Sequence, residues 1–392
     1  MFHIVIRTKS FNFVDKKICM SQQLTLNIES ETSPEEIQDM ILRTNEEEQD
    51  ASPSVMPPPD IIAFNEQRSC ADIFRMYQKG QIEISPDFQR GEVWRNSAQT
   101  LFIDSLMKQL PIPSMCISLD ISSQKRMVID GLQRISSIIK FLDNKIDWRL
   151  SKNEDVDIRI SDKKVSEIRK ENPHLVEVLE NVTIPITVLR CDYTNQEHMK
   201  YLFQIFYRLN SGGNKLYNQE IRNCIFQGSL NSLLKDLART PEWYYFANTD
   251  LKKVDKARFN NEERILRFFA FYHTFQNYKG KLAAFLNAYM DENKNADTAK
   301  IEDLKNLFIA TLTIANRLSD RSFSKNIAEA ILIGIASNLA TLTDIDSEKL
   351  DEKYAELLRQ PMFTTEEMKE GLGSEDKVKG RITSAIKIFS CG

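Results

Sequence analysis

The sequence predicts an α+β region followed by an all-α region. Two observations predict it. Short apolar runs of strand length, Ile82/Ile84, Met115 to Leu119, Met127 to Ile129 and Ile184 to Leu189, all fall before residue 225, with helical stripes between them. Beyond residue 225 the only period is helical. The chain of 392 residues is long enough for two or three domains. The reading is a leader over 1–60, a small mixed sheet with helices over 61–225, and a helical domain over 226–392.

Residues 29–60 are polar and acidic and end in Pro57, Pro58 and Pro59, a composition that cannot bury a core. Residues 61–80 read as a helix, with Ile73, Met76 and Tyr77 on one face. Leu101, Phe102, Ser105, Leu106 and Gln109 mark the next helix, and Leu110-Pro111-Ile112-Pro113 precede the strand from Met115. Met127 to Ile129 form a strand that ends in Asp130-Gly131. Ile135, Ile138, Ile139 and Leu142 then recur at i, i+3, i+4 and i+7, the stripe of an amphipathic helix. Residues 155–160 alternate as a further short strand. Pro185, inside an apolar run, argues for an edge strand or the first residues of one. Met199, Leu202, Phe203 and Phe206 form a helical stripe. So do Ile265, Phe268, Phe269 and Tyr272, then Leu304, Leu307, Phe308 and Leu312, then Ile331, Ile335 and Leu339. Lys377 to Ile382 read as a basic turn that opens a last helix.

Charge and cysteine usage set the outer bounds. Net charge is −4, but residues 29–50 hold nine acidic residues against Arg43 alone, so the rest is mildly basic. That balance is compatible with nucleic-acid contact without demanding it. Cys19, Cys70, Cys116, Cys191, Cys224 and Cys391 form no C-x-x-C pair, which argues against a zinc site and for free thiols in a reducing cytoplasm. No apolar stretch reaches the roughly 18 residues a bilayer span needs, and the first residues lack a secretory h-region. The expected location is cytoplasmic.

Three polar clusters carry the chemistry. Pro86-Asp87-Phe88-Gln89-Arg90-Gly91-Glu92-Val93-Trp94 comes first, Asp130-Gly131-Leu132-Gln133-Arg134 second, and Phe206-Tyr207-Arg208-Leu209-Asn210-Ser211-Gly212-Gly213 third, ahead of Leu216 and Glu220. A helix start presents unpaired N–H groups and a positive dipole end, so the second cluster suits an anion. Gly131 lets backbone approach a ligand and Arg134 adds a forked cation. A plain strand-to-helix turn with a solvated arginine satisfies the same residues. Gln89 and Arg90 reach one ligand only from a turn, because in a strand they face opposite ways. Trp94 suits stacking on a base or packing on a helix, and the Asn210 to Gly213 stretch suits a phosphate-facing loop or an ordinary helix C-cap. Glu220 lies near a helix start, where a carboxylate is stabilising for local reasons.

In this order the three clusters resemble the N-terminal domain of the GmrSD type IV restriction enzymes, over about residues 60–225, with a weaker likeness in the helical remainder. That domain belongs to the wider ParB/sulfiredoxin-like superfamily. The resemblance implies a role in DNA restriction or phage defence. It ties the Asp130–Arg134 segment to nucleotide binding and hydrolysis, with Asp130, Gln133 and Arg134 as candidate catalytic residues. Gln89, Arg90, Trp94, Gly131, Asn210, Gly212 and Gly213 are then candidates for nucleotide and phosphate binding. Asp130 is the candidate carboxylate for Mg²⁺ carried by a nucleoside triphosphate, since such ions use one or two carboxylates plus phosphate. Leu132 stands where the family pattern has a glutamine, which favours binding over hydrolysis. Many relatives carry a C-terminal His-Asn-His-type nuclease, but His3, His174, His198 and His273 leave the last hundred residues without histidine. A nuclease acting with this protein is therefore expected on another chain. The expected partners are a nucleoside triphosphate, DNA and that separate nuclease; assembly into an oligomer stays open.

Overall fold

Period-two sequence builds the sheet, and both of its faces are covered. In the computed structural model residues 56–84, 94–209, 217–248, 260–320, 323–369 and 371–390 are described. Five strands, β1 (Ile62–Ser69), β2 (Ile82–Glu83), β3 (Met115–Asp120), β4 (Arg126–Asp130) and β5 (Thr183–Cys191), line up in the order β1-β5-β3-β4-β2. β1 runs antiparallel to β5 and β3 to β4, while β3/β5 and β2/β4 are parallel. The sheet is therefore mixed, and the fold α+β.

Alternation splits the buried strand residues between two cores. Met115, Ile117, Leu119, Val128, Ile184, Ile186 and Val188 belong to one. Helices α1 (Cys70–Gln78), α2 (Asn96–Met107), α3 (Leu132–Leu142), α4 (Val165–Glu171) and α5 (Pro173–Asn181) supply the rest of that core. Cys116, Met127, Ile129, Leu189 and Cys191 face the other way. They join α6 (Gln196–Leu209), α7 (Asn218–Ile225), α8 (Ser229–Leu237), α9 (Pro241–Ala247), α10 (Asn260–Thr274), α11 (Leu282–Asn293), α12 (Thr298–Ala315), α13 (Lys325–Ala336), α14 (Leu339–Leu342), α15 (Ser347–Leu358) and α16 (Glu375–Ser390). The helical half thus shares its core with one face of the sheet. Its aromatics pack on one another, with Phe308 within 5.2–5.7 Å of the Trp243, Phe268 and Phe269 rings, as the helical stripes anticipate. Among the described residues no helix is long and apolar enough to cross a membrane.

Three expectations are corrected. Residues 62–69 form β1 rather than the start of a helix. Ile62 and Phe64 alternate with Ala63 and Asn65, and the helix begins only where the Ser69 side chain accepts from the Asp72 N–H at 3.1 Å. Residues 155–160 are turns, not a strand. Asp157 folds back on the Arg159 N–H at 2.9 Å, and its own N–H donates to the buried Asp104 at 3.0 Å, so the alternation reflects a loop pinned at both faces. Residues 377–382 lie inside α16, which opens at Glu375. Arg381 there is buried and donates to the Leu372 carbonyl at 2.6 Å.

Pro185 sits in a strand with a neighbour on each side. It stays compatible because β3 begins only at Met115, opposite Ile186, so Pro185 precedes the β3 ladder. The acidic leader up to residue 55 lies outside the described residues.

Candidate functional site

The site is the junction of β4 and α3. Gly131 joins them in a left-handed conformation, φ 94° and ψ 14°, which glycine alone adopts without strain. A Cβ at this position would lie 2.6 Å from Met115 Cγ, so the backbone is pressed against the first residue of β3. α3 has no side-chain cap, and its first intrahelical bond runs from the Ile135 N–H to the Gly131 carbonyl. The N–H groups of Leu132, Gln133 and Arg134 therefore have no acceptor among the described residues, at the positive end of an 11-residue helix. The opposite end is satisfied by Arg169, which donates to the carbonyls of Phe141 and Leu142 at 2.8 and 2.9 Å.

Two motif side chains fasten neighbouring segments to this turn. Arg134 pairs with Asp130 at 2.8 Å, and its guanidinium also donates to the carbonyls of Pro113 and Ser114. Its side chain is 12% exposed, while that of Asp130 is 39% exposed. Three of its five N–H donors are engaged, which leaves Nε–H and one Nη1–H without a partner among the described residues. Gln133 Oε1 accepts the Trp94 N–H at 3.2 Å and holds the end of the first cluster against α3. The Trp94 ring sits edge-on to Phe102 at 5.6 Å, so its packing on α2 is visible. Leu132 packs on the core shared with α1–α5. Cys116, across the sheet from Asp130, has its thiol pushed up to about 12, first by burial and then by that carboxylate.

The structure thus joins the second cluster to Trp94 and to the Ile112-Pro113 segment. Gln89 and Arg90 of the first cluster, and Asn210, Gly212 and Gly213 of the third, lie outside the described residues. Helix α7, on the C-terminal side of the third cluster, is buried throughout, including Asn218, Gln219, Glu220, Arg222 and Asn223. Glu220 Oε2 accepts the Tyr217 N–H at 2.6 Å, the local capping role that its position suggests. Arg222 is 1% exposed and donates to Asn287, Gln219 and Glu263 at 2.9–3.1 Å.

Sequence reasoning missed three groups. The Pro113 and Ser114 carbonyls are backbone atoms and leave no residue signature. Met115 reads simply as strand core. The third is a polar seam between α2 and α3, in which Lys140 donates to the buried Gln99 at 3.0 Å and lies 4.4 Å over the Trp148 ring. Burial holds the Lys140 amine below its usual range. Gln133, Ser137 and Lys140 at i, i+4 and i+7 are the signal that marks this polar face beside the apolar stripe of the helix.

A strand that delivers an uncapped helix start, flanked by one carboxylate and one guanidinium, is an arrangement that suits an anion, and it lies within an α+β domain. Residues 70–227 match the family model described as "GmrSD restriction endonuclease, N-terminal domain", and this part of the chain belongs to that family. A domain of this family is consistent with a component of a restriction or phage-defence system. Neither the curated proteins nor the solved structures contain a match to the chain.

Proposed function

We propose that this protein is the nucleotide-binding and nucleotide-hydrolysing component of a DNA restriction or phage-defence system, and that its nucleotide is a nucleoside triphosphate with Mg²⁺. The observation that carries the reading is the uncapped start of α3 behind left-handed Gly131, between Asp130 and Arg134. Backbone N–H groups there suit phosphate oxygens. Asp130 suits Mg²⁺ brought by the nucleotide, because its Oδ1 accepts no hydrogen bond among the described residues and such ions need few protein carboxylates. Among the described residues no group of three or more His, Cys, Asp or Glu is placed to hold a metal ion by itself. The same reading assigns the sheet and its helices to the ParB/sulfiredoxin-like superfamily, and DNA and a separate nuclease chain as partners.

The test is a panel of nucleoside triphosphates with Mg²⁺ in thermal denaturation. A ligand at 100 times its dissociation constant adds about 2.7 kcal/mol of stability. No shift with any nucleotide sinks the reading.

A second reading keeps the binding and drops the hydrolysis. It is favoured by Leu132, whose half-buried side chain packs against the core instead of offering an amide to water. Multiple-turnover phosphate release separates the two. Under the second reading the wild type releases none, and Leu132→Gln raises release with little change in affinity, because a water-orienting amide acts on the transition state. Turnover by the wild type that Leu132→Gln leaves unchanged removes the position from catalysis.

A further inference from the structure

One groove lies apart from the β4–α3 turn. It holds about 680 Å³, a ligand-sized volume, and its lining includes Gln67, Gln109, Ile112, Glu177, Asn181 and Pro185. Consecutive rungs of the sheet connect it to the candidate anion site. Gln67 pairs with Pro185, Ile186 with Met115, and Cys116 with Asp130. Groove and turn therefore occupy the same end of the sheet, and β4 and β5 are two strand spacings apart, about 10 Å. They also share a wall. Ile112 lines the groove, and the next residue, Pro113, is the one whose carbonyl Arg134 holds.

The lining chemistry differs from that of the turn. It contains no Lys and no Arg, and its one imidazole, His174, lies 3.8 Å from the Glu177 carboxylate, so no permanent cation awaits a phosphate there. The amides of Gln67, Gln109 and Asn181 offer donors and acceptors, with Asn181 spending one N–H on the Glu177 carbonyl at 2.8 Å. Pro111, Ile112, Val178 and Pro185 add flat apolar surface, and Glu177 adds an acceptor-only carboxylate. A planar, uncharged heterocycle with hydrogen-bonding edges matches this set. An amino-bearing edge matches it best, because it can donate to Glu177.

We propose that the groove between the Gln109–Ile112 segment, α5 and the β1/β5 edge receives the base of the nucleotide whose phosphates sit at the start of α3. This rests on the nucleotide-binding reading of that helix start. The wall at Pro113 and Ser114 then divides base from phosphates, and Arg134 fixes its position.

The test uses the full chain, with isothermal titration of ATP, GTP, CTP, UTP and inorganic tripolyphosphate, each with Mg²⁺. Val178→Trp fills the groove from α5, and Glu177→Gln replaces its carboxylate. For Val178→Trp the expected result is at least a tenfold loss of nucleotide affinity, with tripolyphosphate affinity kept within twofold. For Glu177→Gln it is a changed order of preference among the four nucleotides. Circular dichroism melts that match the wild type confirm that both variants fold; if Val178→Trp does not fold, Glu177→Gln, an exposed and nearly isosteric change, decides alone. Nucleotide affinities and preferences that neither variant alters overturn the groove while leaving the nucleotide reading intact. Parallel loss of tripolyphosphate and nucleotide affinity also overturns it, since base and phosphate sites would then be one. Failure of every nucleotide to bind the wild type overturns both.

Discussion

Gly131→Ala tests whether the β4–α3 turn is as tightly built as its geometry indicates. Two costs are expected. A non-glycine residue in left-handed backbone costs about 1–2 kcal/mol. The new Cβ would also stand 2.6 Å from Met115 Cγ and 2.8 Å from Met115 Sδ, inside a well-packed core. Overpacking of that kind costs roughly 1–3 kcal/mol. The sum is about 2–5 kcal/mol. Gly80 provides the control, because its φ is 65° and nothing lies within 4 Å of an added Cβ, so Gly80→Ala carries only the backbone cost. Urea titration followed by circular dichroism gives both values. The difference, about 1–3 kcal/mol, isolates the contact with Met115. Adding Met115→Ala to Gly131→Ala should recover part of it, a coupling that a double-mutant cycle measures. Equal losses for the two alanine variants, or no coupling to Met115, would refute the close approach.

Other outcomes are expected from the same structure. Arg134→Ala should lower nucleotide affinity at least tenfold while costing about 1.5–4.5 kcal/mol of stability, because the three hydrogen bonds it loses are each worth about 0.5–1.5 kcal/mol and no core is emptied; unchanged affinity in calorimetry removes it from the site. DNA binding, measured by fluorescence anisotropy, should be modest, with a log–log salt slope of roughly −2 to −3 from two or three phosphate contacts; deleting residues 1–60 should tighten it at low salt, and no binding by either form counts against a direct DNA role. Burial pushes the thiols of Cys70, Cys116 and Cys191 up to about 12. Below pH 9 they are neutral folded and unfolded. Between pH 9 and about 12 only the unfolded state ionises, so their contribution to stability falls as pH rises through that window. Iodoacetamide at pH 8 should leave these three unlabelled by peptide mass until urea unfolds the chain, and full native labelling would contradict their burial.

Much of this fold was legible because burial follows period. β3 and β4 are short apolar runs, and α3 shows its stripe from Ile135 to Leu142 in the residues themselves. β1 was not legible, since an edge strand with a polar half, Asn-Glu-Gln-Arg, lacks the apolar signal that tertiary pairing with β5 replaces. Nor was the burial of α7, where Arg222 and Glu263 lie 41 positions apart and find each other only in three dimensions. At the site, Gly131 and the uncapped helix could be read from Asp-Gly followed by the stripe. The engagement of Arg134 could not, because its acceptors are backbone carbonyls.

The pairing of β1 has a consequence for how the chain is made. Ser69 lies opposite Thr183 and Ile62 opposite Arg190. About 120 residues must therefore be synthesised before β1 meets β5, its one strand neighbour among the described residues, which at 5–20 residues per second is roughly 6–24 s on the ribosome. During that interval Ile62 and Phe64, which stay 51% and 39% exposed even in the finished fold, sit on an unpaired strand. Such a strand is a template for foreign backbone. The ion pair that Glu66 and Arg68 make with each other, at 2.8 Å, places charge on its second half. Charge of that kind discourages a stray strand from pairing before β5 arrives.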